Sequence, residues 1–212
     1  MPVNAHSTEE KLNALTHNIG TGLSIAGLVF LLYLTAVHNG TPLQYVSFSL
    51  YGAFQILLYL SSGLTHLFTD KPSVHGIIRV VDQASVYLLI AGTYTPISLL
   101  ALKGVWGWSI FGVIWGMALI GIIVKLALGR RKHIVSDLLY IPMGWTIIIA
   151  VKPMVRTAPR GLLLWVSIGG ICYSVGVIFY LLKKMPYAHV LWHLFVLGGS
   201  ISFYLGIVKF LI

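Results

Sequence analysis

The sequence predicts an all-α polytopic membrane protein, a single seven-transmembrane-helix bundle spanning residues 1–212, and two observations carry that expectation. Of its 212 residues 58% are hydrophobic and only 9% charged, with a mean hydropathy of +0.90. A soluble domain could not carry that balance. The apolar residues also fall into blocks of about 20, the length that crosses a hydrocarbon core of about 30 Å at a rise of 1.5 Å per residue.

Seven blocks follow in order, at about 15–37, 44–68, 80–102, 106–128, 134–151, 162–182 and 187–211. Turn chemistry and charge separate them: Asn39-Gly40-Thr41-Pro42, Asp70-Lys71-Pro72, Lys103-Gly104, Gly129-Arg130-Arg131-Lys132, the stretch from Lys152 to Arg160 with two prolines, and Lys183-Lys184-Met185-Pro186. The fifth block is short and carries Asp137 and Pro142. Pro96 and Pro142 lie inside spans and are expected to kink them or to be tolerated as simple bends. Trp106, Trp108 and Tyr45 read as interfacial belt residues. Gly198-Gly199 permits close helix approach. The lone Cys172 reads as a small core residue, with neither a disulfide nor a thiolate cluster available. No basic-then-apolar leader precedes Asn13, so the first span is expected to direct insertion itself.

The net charge of +9 is scattered singly or in short runs between apolar blocks, which argues for lipid headgroups as partners and against nucleic acid. With seven spans, nine basic residues fall on the N-terminal side (Lys11, Lys71, Arg79, Lys125, Arg130, Arg131, Lys132, Lys183, Lys184) and five on the other (Lys103, Lys152, Arg156, Arg160, Lys209). The bias places the N-terminus in the cytoplasm. Nothing in the pattern addresses oligomerisation.

Candidate chemistry gathers at one depth. His66 closes span two, Asp82 opens span three, and His189 and His193 open span seven. With an odd number of spans all four reach the same membrane face, and Ser62 lies one helical turn deeper than His66 on the same stripe. Ionisable residues inside spans are costly and by default mark a functional site. His189 and His193, four residues apart, point side by side from one helix. With His66 they supply three imidazoles, the ligand count of a catalytic zinc site, and neutral imidazole suits Zn2+ while leaving nickel, cobalt or iron open. Asp82 could serve as general base or orient a histidine, and Ser62 could hold a water or a substrate oxygen. Simpler readings stand beside these: a histidine as hydrogen-bonded packing residue, Asp82 as a helix N-cap, and Asp137 as a surface ion pair or cap. His38, His75 and His133 read as solvated loop residues.

These residues form a pattern that resembles the haemolysin III branch of the progestin and adipoQ receptor family, bacterial type, over nearly the whole chain. The resemblance rests on Glu10-x-x-Asn13-x-x-x-His17, Ser62-x-x-x-His66, Asp82 followed by Tyr87-Leu-Leu-Ile-Ala-Gly-Thr-Tyr-Thr-Pro96, and His189-x-x-x-His193. It implies a seven-helix bundle in a bacterial plasma (inner) membrane, an inside N-terminus, and zinc on His66, His189 and His193 with Asp82 and Ser62 alongside. Gln83 departs from the histidine often found there in the family, which bears on local hydrogen bonding and not on the ligands. Glu10, Asn13 and His17 face the same layer, either as a gate or as an N-terminal cap and interfacial anchor.

The expectation for function is a membrane-embedded zinc-dependent hydrolase of a lipid amide or ester. A non-catalytic zinc-containing sensor or regulator of membrane homeostasis is the alternative. A pore-forming, haemolysin-like protein is a weaker one, because the span interiors read as lacking a polar chain through the full thickness.

Overall fold

A computed structural model describes residues 3–128, 139–182 and 184–212, with side chains from residue 8 onward. Every described element is helical: α1 (Val3–Val37), α2 (Pro42–Leu67), α3 (Pro72–Pro96), α4 (Gly104–Leu128), α5 (Tyr140–Trp145), α6 (Val151–Thr157), α7 (Arg160–Leu181) and α8 (Ala188–Phe210). A π-wound turn, Ile97–Leu102, extends α3, and a 3₁₀ turn, Thr146–Ala150, joins α5 to α6.

Among the described residues six helices are long and apolar enough to cross a bilayer: α1 from Thr8, α2, α3 through Leu102, α4, α7 and α8. Their outward faces carry Ile19, Val29, Ile120, Ile123 and Ile171, all exposed, because in lipid the backbone and not the side-chain surface must be hidden. The expected fifth span lies partly outside the described residues, together with Arg130, Arg131, Lys132, His133 and Asp137.

Helix ends depart from the expected ones where hydropathy measures the bilayer and not the helix. The first and third spans were expected to begin near residues 15 and 80, whereas α1 begins at Val3 and α3 at Pro72. Pro72 pre-organises a first helical turn, where its missing N–H is not needed. At α2, Thr41 and Gln44 form a reciprocal cap: Gln44 N–H donates to Thr41 Oγ1 at 3.3 Å and Thr41 N–H to Gln44 Oε1 at 2.8 Å.

The stretch from Lys152 was expected as a turn but is helical to Thr157. Pro153 falls in the first turn of α6, and its ring cannot follow a regular helix past the carbonyl of Ile149. The distortion therefore sits just upstream, in Thr146–Ala150. Tyr94 repairs it: its hydroxyl donates to Gly144 O at 2.7 Å and accepts from Ile147 N–H at 3.0 Å. At Pro96 the outcome is a π turn, closed by Lys103 N–H to Ser98 O at 2.9 Å.

Neighbouring helices pair in sequence, α1 with α2, α2 with α3 and α7 with α8, and α8 returns to α1. Two glycines permit the approach that matters for the site. A Cβ on Gly20 would lie 2.6 Å from the Tyr59 ring, and one on Gly199 would overlap the ring of Tyr173.

Candidate metal centre

Four helices converge at the end of the bundle where α2 stops and α8 starts. His66 comes from the last turn of α2, and His189 and His193 from the first two turns of α8. One ring nitrogen from each lies within 4.8 Å of the others. Ring centroids are 5.1 Å apart for His66 with either partner and 4.5 Å for His189 with His193. His193 is buried, and the other two are half-buried. Three imidazoles so placed fit a divalent transition metal with an open coordination position.

The hydrogen bonds around the rings decide which nitrogens point inward. His66 Nδ1 lies 2.7 Å from Glu10 Oε2, and a carboxylate accepts, so Nδ1 carries the proton and Nε2 is left for a metal. His193 Nδ1 lies 3.2 Å from Thr16 Oγ1, whose own hydroxyl faces the carbonyls of Leu12 and Asn13 at 3.0 and 2.9 Å. With its proton on one of those carbonyls, Thr16 would accept from His193 Nδ1 and leave Nε2 for a metal; the His193 ring also bonds the Asn13 backbone. Thr16 carries no sign of this role in the sequence. A threonine inside a helix usually bonds its own backbone, and nothing in its spacing betrays a partner 177 residues away.

Glu10, Asn13 and His17 lie inside α1, past its first turn, so helix capping is not their role. Asn13 and His17 are buried, and the His17 ring stacks on His193 at 3.5 Å and 17° while meeting Tyr59 edge-on. Asp82 likewise lies ten residues into α3, not at an N-cap. Its carboxylate accepts from the Ser62 hydroxyl, and Ser85 donates to the Asp82 carbonyl at 2.7 Å while its Oγ meets Ser61 at 3.2 Å. Those serines lock α3 to α2 beside the histidines. The Gln83 carbonyl accepts from Tyr140 at 2.6 Å, and its side chain lines the same space as Asp82.

That space is a cavity of about 1050 Å³. Its polar end holds Glu10, Asn13, His17, Ser62, His66, Arg79, Asp82, His189 and His193. Beyond them the walls are Leu89, Ile90, Ile97, Ile147, Met154, Leu163, Val166 and Phe203. Trp145, Ile148 and Val151 on one side and Ile171 and Leu181 on the other line the cavity yet are exposed. By the same measure Thr69 and Met185 at the histidine end are exposed lining residues, so the cavity reaches the surface there as well as beside the broken helix α5–α6 and α7.

Residues 5–204 match the family described as haemolysin-III related. The chain belongs to the haemolysin-III-related family. Among the proteins it resembles, a Hemolysin-3 homolog of Bacillus subtilis is 43% identical over 92% of this chain and 91% of its own length. Hemolysin-3 of Bacillus cereus is 44% identical over 91% and 87%. The human Monocyte to macrophage differentiation factor is 29% identical over 76% and 69%. The resemblance read from the motifs, to the progestin and adipoQ receptor family, thus agrees with the match. In this haemolysin-III-related protein the Tyr87–Pro96 motif serves packing in part: Tyr94 bridges the helix break, and Thr95 Oγ1 accepts from Trp115 Nε1 at 3.2 Å.

Proposed function

We propose that this protein is a zinc-dependent hydrolase of a lipid amide or ester, embedded in the bacterial plasma membrane with its N-terminus in the cytoplasm. The observation that carries the reading is the pairing of three convergent histidines with an apolar cavity open to lipid. A metal on His66, His189 and His193 supplies Lewis acidity towards a carbonyl and towards water.

The chain's own residues do the rest. Apolar walls such as Ile90, Leu163 and Phe203 bind an acyl chain and exclude bulk water, and the opening beside α5–α6 and α7 admits it from the bilayer. Asp82, oriented by Ser62, takes a proton from the attacking water and passes it to the leaving amine or alcohol. Glu10 and Thr16 keep two histidines in the tautomer that presents Nε2.

The same geometry supports seven spans. α4 ends and α8 begins at the histidine layer, and α7 starts at the opposite face. On this reading α5 and α6 are the described part of a further span between α4 and α7.

Elemental mass spectrometry on folded wild type and on His66→Ala, His189→Ala and His193→Ala, followed by turnover of N-acyl and acyl-ester lipids, tests the reading. About one zinc per chain, lost in the variants, with metal-dependent hydrolysis supports it. Bound zinc without turnover across the lipid panel turns it towards a sensor of membrane state. Well-folded protein that takes up no metal overturns it.

A further inference from the structure

One face of α2 is polar from end to end. Gln44, Ser47, Tyr51, Gln55, Tyr59 and Ser62 recur every three or four residues and lead to His66. The 23 residues from Gln44 to His66 cover about 33 Å of helix, the thickness of the hydrocarbon core. Ser47, Tyr51, Gln55, Tyr59 and Ser62 are all buried. These buried groups extend the polar layer of the histidine end along α2.

Neighbouring helices add hydroxyls to this face. Tyr59 donates to Ser200 Oγ at 2.7 Å, and the Tyr173 hydroxyl meets the same atom at 2.8 Å. Tyr51 reaches the Ser200 carbonyl at 3.5 Å and pairs with the Gln55 side chain. At the far end Gln44 is half-buried and donates to Leu211 O at 2.9 Å. At the near end Ser62, His66 and His17 line the cavity.

Between these contacts, partners run out. Ser47 Oγ, Gln55 Nε2, Asn13 Oδ1 and both ring nitrogens of His17 are buried with no hydrogen-bond partner among the described residues. All lie on α1 and α2. Unpartnered polar groups inside a protein are costly, and they are the partners that a buried water takes. Polar residues commonly hold membrane helices together, which accounts for Tyr51 and Tyr59. It does not account for Ser47 Oγ or for Gln55 Nε2, which bond no atom of the described residues.

We propose that the polar face of α2, with a file of water molecules, is a proton path joining the histidine end of the cavity to the opposite membrane face. Each hydroxyl or water accepts a proton on a lone pair and releases its own to the next, then reorients. One proton enters and one leaves, and every group ends as it began. The path needs no redox partner and does not depend on lipid turnover.

The test is proton flux into vesicles of phosphatidylethanolamine and phosphatidylglycerol that contain the purified full-length protein and an enclosed pH-sensitive dye. A potassium gradient with valinomycin supplies the driving potential. Wild type is expected to admit protons several-fold faster than protein-free vesicles, and Gln55→Leu and Ser47→Val to fall back towards that baseline. Ser47→Val removes an oxygen that bonds no atom of the described residues, so it decides the matter if Gln55→Leu fails to fold. Wild-type flux equal to that of protein-free vesicles, or variants that are monodisperse and conduct like wild type, would overturn the path.

Discussion

Glu10→Gln keeps the size of the side chain and removes its charge, and its effect on the metal centre follows from one contact. The 2.7 Å bond to His66 Nδ1 is charge-assisted, with the histidine side chain 11% and the glutamate 25% exposed. Partners of this kind typically tune metal affinity by about 10- to 100-fold, equivalent to roughly 1.4–2.7 kcal/mol. Partial exposure of Glu10 admits solvent screening and places the expected loss nearer the lower bound, about tenfold. Thr16→Val removes a neutral and longer contact to His193, 3.2 Å, and is expected to cost less, roughly 0.5–1.5 kcal/mol. Zinc affinity measured by competition with a fluorescent chelator reads both. Glu10→Gln affinity within about twofold of wild type, with folding intact, would refute the argument that α1 orients the histidines.

Three further outcomes follow from the same geometry. Asp82→Asn should retain zinc while lowering hydrolysis by about 10²–10⁴-fold if the carboxylate transfers the proton; equal turnover in the variant would remove it from that role. Tyr94→Phe strands the carbonyl of Gly144 and the N–H of Ile147 where lipid offers no replacement. It should cost about 1–3 kcal/mol, read as a lowered Tm in detergent, and an unchanged Tm would show that the break is satisfied otherwise. Gly20→Leu drives a side chain into the Tyr59 ring, which also braces His17. It should lower both Tm and zinc affinity, whereas Gly22→Leu, with open space around its Cα, should leave both near wild type.

Much of the site was legible before any geometry. His66, Ser62, Asp82, His189 and His193 stand out because ionisable groups are rare in apolar runs, and an odd number of spans sends them to one face. Two simpler readings failed for a common reason. Asp82 and the Glu10, Asn13 and His17 set were placed at helix starts because hydropathy marks where lipid begins. The helices α1 and α3 continue beyond that boundary.

Composition and periodicity by themselves determined the membrane class, the apolar spans among the described residues and the residues that lipid would not tolerate without purpose. Those are one-dimensional quantities: the cost of burying each side chain and the number of residues needed to cross about 30 Å. Only the tertiary structure decided that Thr16 meets His193, that Tyr94 heals a break 50 residues away, and that Tyr51 and Tyr59 of α2 bond Ser200 of α8 while Ser62 bonds Asp82 of α3. Hydrogen bonds across helices depend on rotation and depth as well as spacing, and those are set when the helices pack.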